Sequence, residues 1–222
     1  MKLAVSGASG KTGYRIAEEG LANGHKMCLL IRQNSQLPET LSDCEQHRLS
    51  LWDDLALDQA LQGSDALLIA TGARPSIDLT GPARVDAWGV KRQLASCKRV
   101  GVKRIVLVSS LCAGRWRHPL NLFGLILVWK RIGEQALETS GLDWTVIRPG
   151  GLSEREDDLG AEGIRYSLAD EQEDATIPRR LVARCCLEAI NTPSSIGQII
   201  EVTSDPKLPL ISLDQVLQPK ET

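Results

Sequence analysis

Aromatic residues are scarce in this 222-residue chain, at 4 %, and only one of them is Phe. No run reaches the ~20 apolar residues of a membrane-spanning helix. The nearest stretch, Leu120 to Trp129, is interrupted by Asn121 and Gly124. Charge of one sign is lacking too: 26 Lys+Arg against 28 Asp+Glu give a net charge of −2. That excludes the broad basic field of a general nucleic-acid binder. The six cysteines (Cys28, Cys44, Cys97, Cys112, Cys185, Cys186) form no CxxC pair, and no His/Cys/Asp/Glu cluster has metal-ligand spacing along the chain, so no metal is expected. Met1 to Gly7 runs directly into a strand and a glycine turn, so no signal peptide is expected. Reduced thiols in the cytoplasm follow as the expectation. Repeats, low-complexity tracts and linkers are also missing, which predicts one domain over residues 1–222. What is present is ordinary for a globular chain: 42 % hydrophobic and 24 % charged residues, which excludes global disorder.

Short apolar runs alternate with helix-length segments. The runs Leu3–Ser6, Lys26–Ile31, Ala66–Ala70, Arg104–Ser109, Trp144–Ile147 and Ile199–Thr203 read as strands. Gly13–Asn23, Asp54–Gln62, Gly81–Val100 and Leu125–Thr139 read as helices between them. Val-, Ile- and Leu-rich strands joined by helical crossovers make a parallel sheet covered on both faces. Right-handed crossovers then leave a doubly wound, three-layer α/β sandwich of Rossmann type, with a small C-terminal portion on the substrate side. Gly24, Gly63, Gly101 and Gly141 stand where left-handed helix C-caps belong.

Gly7-Ala8-Ser9-Gly10-Lys11-Thr12-Gly13 follows the first strand and opens the first helix, with GxxGxxG spacing. A turn of this kind needs positive φ, close approach of a ligand backbone, and tight packing of helix on sheet. Helix N-terminal amides can then hold a pyrophosphate. The P-loop pattern GxxxxGK[ST] is absent, which argues against an ATPase. A carboxylate about 20 residues past the glycines would favour NAD by gripping the ribose 2′-hydroxyl. Arg32 occupies that place, in Ile31-Arg32-Gln33-Asn34, and its planar fork suits a 2′-phosphate. Lys11 adds a second positive charge. The cofactor expected is therefore NADP, with NAD possible; the alternative is that Arg32 is a solvated strand-end residue.

With these residues in place the chain resembles an atypical short-chain dehydrogenase/reductase, and more narrowly the Tic62-like and NmrA-like group. The resemblance runs over nearly the whole chain. It rests on Gly7 to Gly13, Ala70-Thr71-Gly72-Ala73, Thr80-Gly81-Pro82 with Val85-Asp86, Val108-Ser109-Ser110, Trp129-Lys130-Arg131 and Val146-Ile147-Arg148-Pro149-Gly150-Gly151. It implies that Gly7, Ser9, Gly10, Lys11, Thr12 and Gly13 bind the cofactor, that Ala70, Thr71 and Gly72 line the adenine ribose, and that Pro149 and Gly150 meet the nicotinamide. Asp53 matches an adenine-contacting acid, although an acid before Leu55 to Leu61 equally suits a helix cap.

Catalysis in the family uses a Ser, a Tyr and a Lys in a YxxxK helix; the Tyr moves the proton and the Lys lowers its pKa while holding the ribose. Counting back from Lys130, the Tyr position is Ile126, and the chain's two tyrosines, Tyr14 and Tyr166, lie elsewhere in sequence. Ser110, with Ser109 as its one-residue alternative, and Lys130 remain as the catalytic candidates. Hydride transfer needs mainly positioning, so a flavin- or quinone-like acceptor can take its proton from solvent.

The segment from Arg115 to Arg131 sets basic and aromatic residues around an apolar run. It reads as a central helix with a loop over the cleft, as an apolar substrate wall, or as a docking patch for a peripheral membrane or partner contact through Trp116 and Phe123. Residues 151–176, with a short strand at Ile164–Ser167, read as substrate-side loops, and the resemblance implies a helix over Pro178–Ile190. Two functions are expected: an NADP(H)-dependent reductase of a small or apolar conjugated acceptor, or a catalytically silent NADP(H)-sensing scaffold.

Overall fold

A computed structural model describes residues 1–72, 80–115, 117–122, 124–173 and 175–218. Its strands are β1 (Lys2–Ser6), β2 (Lys26–Ile31), β3 (Glu45–Arg48), β4 (Ala66–Ile69), β5 (Arg104–Val108), β6 (Asp143–Pro149), β7 (Gly151–Ser153), β8 (Gly163–Leu168), β9 (Thr176–Pro178) and β10 (Gln198–Asp205). The helices are α1 (Gly13–Ala22), α2 (Asp54–Leu61), α3 (Val90–Val100), α4 (Ile126–Glu138), α5 (Arg179–Asn191) and α6 (Leu213–Leu217). Eight strands form one sheet in the order β3-β2-β1-β4-β5-β6-β10-β8, parallel throughout except where β8 pairs antiparallel with β10.

The two faces of the sheet show why the strands are apolar along their length. Leu3, Val5, Leu29, Leu68, Val106 and Ile147 pack on one side with Ile16 of α1 and Leu181 of α5. Ala4, Leu30, Leu67, Ile105 and Val146 pack on the other with Leu57 of α2, Leu94 of α3 and Leu137 of α4. Alternate residues of one strand thus enter different cores, and a polar residue on either face would be buried without water.

The expected strands and helices are all present, with ends shifted by one or two residues. The glycines at 24, 63, 101 and 141 are all left-handed, with φ between +72° and +84°. Three features differ. β3 is an additional strand whose Glu-Gln-His-Arg sequence carries no apolar signal, because it is a sheet edge with little to bury. The expected helix over 81–100 begins with a π-helical segment, Ala83–Gly89, before α3. Between β6 and α5, β7 and β9 pair as a small parallel sheet bracketing the looser stretch.

Pairing of β2 with β3 brings Cys28, Glu45 and His47 within 4.8 Å of one another, a grouping invisible in linear spacing. Lys2 Nζ already lies 2.8 Å from Glu45, so that carboxylate has a cationic partner within the chain. Among the described residues no helix is long and apolar enough to cross a membrane.

Candidate functional site

Strand order reverses between β1 and β4, and a doubly wound sheet opens a crevice at such a point, beyond the strands' carboxyl ends. A cleft of about 710 Å³ lies there. Gly7, Ser9, Gly10, Arg32, Ala70, Thr71 and Gly72 line it. The glycine turn is shaped for close approach. Gly7 has φ +80°, and a side chain on it would meet Ala70 O and Thr71 N at 2.9 Å. A Cβ on Gly13 would sit 2.1 Å from Gly7 O, so α1 packs directly on the turn. Thr12 stands at the N-cap of α1 without a side-chain cap hydrogen bond, and the first turn carries no acid. The positive end of the helix therefore faces the turn without an internal anion.

One wall continues from β3 into α2. Ser50, Leu51 and Trp52 line the cleft, whereas Asp53 does not. Asp53 Oδ1 instead accepts a hydrogen bond from Ala56 N–H at 3.0 Å, the capping role weighed from sequence. Trp52 lies under two guanidinium groups, Arg92 at 5.2 Å and Arg84 at 5.9 Å from its ring centroid. Arg92 also donates to Leu51 O, Trp52 O and Asp54 Oδ1, which fixes this wall. Arg48 ties the loop after β2 by donating to Gln33 O and Ser35 O. Arg32 is exposed at that loop's start, and Arg84 faces the same cleft. Lys11 does not line the cleft; its Nζ lies 2.8 Å from Glu154. That bond, with nearby Arg179 and Arg15, holds the Glu154 carboxyl below its usual range.

Three hydroxyls mark the carboxyl ends of adjacent strands. Ser6 Oγ ends β1, Thr71 Oγ1 follows β4, and Ser109 Oγ follows β5; all are buried and none has a hydrogen-bond partner among the described residues. Buried hydroxyls are usually paired, and two of these three, Ser6 and Thr71, belong to residues that line the cleft. The cradle and these hydroxyls fit a dinucleotide. Of the two candidate serines, Ser109 is buried with its hydroxyl unpaired among the described residues, and Ser110 is half-buried.

Lys130 Nζ lies 2.9 Å from Asp86 Oδ1. Both atoms would lie 3.8 Å from a Cβ on Gly72, so the pair abuts the cleft wall. Ile126, one turn before Lys130, is buried. Tyr166 donates to Glu188 at 2.7 Å in the outer part of the sheet, and burial raises its hydroxyl pKa, while Tyr14 stacks under Arg15 on α1. Neither replaces the missing phenol. Pro149 O accepts from Leu111 N–H, and Gly150 passes so near Ala175 O that a Cβ would lie 2.3 Å away. These two residues thus join the loop after β5 to the β7–β9 sheet.

In the 115–131 segment Ile126, Leu127 and Val128 are buried, Leu122 and Leu125 are exposed, and Trp129 packs on Trp88 with ring centroids 6.4 Å apart. The segment is thus part core helix and part exposed loop. Ala73, Trp116 and Phe123, named from sequence, lie outside the described residues. Sequence reasoning missed Trp52, Arg84, Arg92 and Arg48; a Trp flanked by a cap residue, and arginines on the following helix, were the available signals.

The family described as NAD(P)H-binding matches residues 7–193. The chloroplastic protein TIC 62 of Pisum sativum is 29 % identical over 96 % of this chain and 45 % of its own length. Sanguinarine reductase of Eschscholzia californica is 29 % identical, covering 91 % of this chain and 89 % of that protein. A Bacillus halodurans structure ascribed to the NAD-dependent epimerase/dehydratase class superposes with a TM-score of 0.84 at 26 % identity, over 98 % of this chain and 99 % of that one. With this match, this sheet and this glycine cradle, the chain belongs to the NAD(P)H-binding atypical short-chain dehydrogenase/reductases of the NmrA-like and Tic62-like group.

Proposed function

We propose that the chain is an NADP(H)-dependent reductase of a small or apolar conjugated acceptor, flavin- or quinone-like. The observation that supports this best is the row of unpaired hydroxyls at Ser6, Thr71 and Ser109, running from the glycine turn toward the Lys130 side of the cleft. In this reading the turn and the first amides of α1 hold the pyrophosphate. Arg32 and Arg84 take the 2′-phosphate, since the end of β2 offers an arginine where an NAD-preferring site has a carboxylate. Trp52 flanks the adenine. Lys130 holds the nicotinamide ribose, Ser109 or Ser110 polarises the acceptor, and the backbone of Pro149 and Gly150 closes on the nicotinamide. When bound, the nicotinamide supplies the hydride.

Ile126 decides the acceptor class. Without a phenol beside Lys130, the acceptor that fits is one whose reduced form takes its proton from solvent, as conjugated flavin- or quinone-like rings do. The six free thiols suit a reducing compartment, and we place the protein in the cytoplasm as one domain over 1–222, with residues 151–176 shaping the acceptor side. The same Ile126 favours a second reading, an NADP(H)-sensing scaffold without turnover.

An absorbance assay of NADPH oxidation across flavins, quinones and biliverdins tests the proposal. Turnover with one of these classes supports the reductase. Tight NADPH binding with no turnover anywhere in the panel leaves the scaffold, and no binding removes both.

A further inference from the structure

Lys130 is held from outside its own helix. It projects from α4 toward the π-helical segment Ala83–Gly89, where the Asp86 side chain is 2 % exposed against 15 % for Lys130. The backbone brings the two together: Gly133 on α4 comes so close to that segment that a Cβ on it would lie 2.2 Å from Asp86 O. A π-helical insertion re-aims side chains relative to an α-helix, and such insertions recur at functional sites. Here it turns a buried carboxylate toward the cleft wall at Gly72.

We propose that Asp86 is a positioning residue which holds the Lys130 ammonium beside Gly72, ready to donate to the hydroxyls of the nicotinamide ribose; this rests on the NADP(H) reading above. An ammonium has three donors, so one spent on Asp86 leaves two for a ligand. A lysine without a fixed partner samples many rotamers, and ordering it when a ligand arrives costs affinity. A charge-assisted bond to a buried carboxylate orders it beforehand. Where a tyrosine one turn earlier would share this lysine, Ile126 offers no polar atom, so the carboxylate from the neighbouring segment fixes Nζ.

The test uses the full chain at constant ionic strength, with calorimetric titration of NADPH and of 2′,5′-ADP, which lacks the nicotinamide half. Asp86→Asn is expected to weaken NADPH by about tenfold, the loss of one charge-assisted interaction, and to leave 2′,5′-ADP within about twofold. Lys130→Met is expected to do the same, and Asp86→Asn to add nothing in the Lys130→Met background. Asp86→Glu, which keeps the charge, is expected to recover part of the affinity. If Asp86 only packs the segment against α4, Asp86→Asn weakens both ligands together with a fall in Tm, or adds fully to Lys130→Met. If it only balances charge, Asp86→Asn tightens both ligands. Either result overturns the assignment, as does unchanged NADPH affinity in Asp86→Asn beside a wild type that binds. A wild type that binds neither ligand overturns the NADP(H) reading itself, and this inference with it.

Discussion

Alanine in place of Gly13 puts a methyl carbon 2.1 Å from Gly7 O, 2.7 Å from Gly7 C and 3.0 Å from Ala8 Cα. All three are backbone atoms and none can rotate away. Ordinary contact begins at 3.4 Å, so the start of α1 must retreat from the turn by about an ångström. Two effects on stability oppose one another. Overpacking costs ~1–3 kcal/mol, while alanine is better than glycine in a helix by up to ~1 kcal/mol. The net loss is ~0–3 kcal/mol, a Tm decrease of at most ~12 °C for a chain of this size. Binding suffers more, because the amides that would meet the pyrophosphate move with the helix. Losing the equivalent of one charge-assisted hydrogen bond weakens NADPH by about 10- to 100-fold. Fluorescence titration of NADPH beside thermal unfolding measures both effects. Gly63→Ala is the control: its φ of +72° makes alanine strained there, yet no atom lies within 4 Å of the added carbon. It is expected to lower Tm and leave affinity unchanged. Gly13→Ala with wild-type affinity for NADPH refutes the proposed cradle.

Arg32→Asp should raise the NADP+ dissociation constant by at least about tenfold and leave NAD+ within about twofold, since only NADP+ carries the 2′-phosphate; equal changes for the two would contradict the assignment. Glu134→Ala removes the bidentate partner of Arg148, whose side chain is 2 % exposed, and strands a buried charge. That costs ~3–5 kcal/mol, a Tm fall of roughly 6–20 °C, and a fall under about 2 °C would show that Asp170 and Glu201 suffice. Burial pushes the thiols of Cys28, Cys97 and Cys186 up to about 12, so the folded chain keeps them protonated where the unfolded chain loses its protons. Above about pH 9 the folded state therefore binds more protons, and stability falls by ~1.4 kcal/mol per pH unit for each such thiol. Denaturation midpoints from pH 8 to 10 should fall steeply for the wild type and less steeply for Cys97→Ala; identical slopes would contradict it.

The central strands were legible because parallel strands between two cores are largely apolar, as Leu3 to Val5 and Met27 to Ile31 are. β3 was not, because an edge strand has no such requirement and its pairing is set by β2. The glycine turn and Arg32 could be read from order along the chain, since both follow a strand directly. Trp52, Arg84 and the Lys130–Asp86 pair could not, because crossover geometry alone brings Trp52 and Arg84 to the cleft and sets Lys130 against Asp86 beside Gly72. Asp53 shows a limit of a different kind: an acid before a helix suits two roles, and only its hydrogen bond to Ala56 reveals that it caps.

A crystal structure of the full chain grown with NADP+ tests the central claim most directly. The account predicts the pyrophosphate at Gly7 to Gly13, the 2′-phosphate between Arg32 and Arg84, and the nicotinamide ribose within hydrogen-bond distance of Lys130. Density for the cofactor elsewhere, or a 2′-phosphate turned away from both arginines, would contradict it.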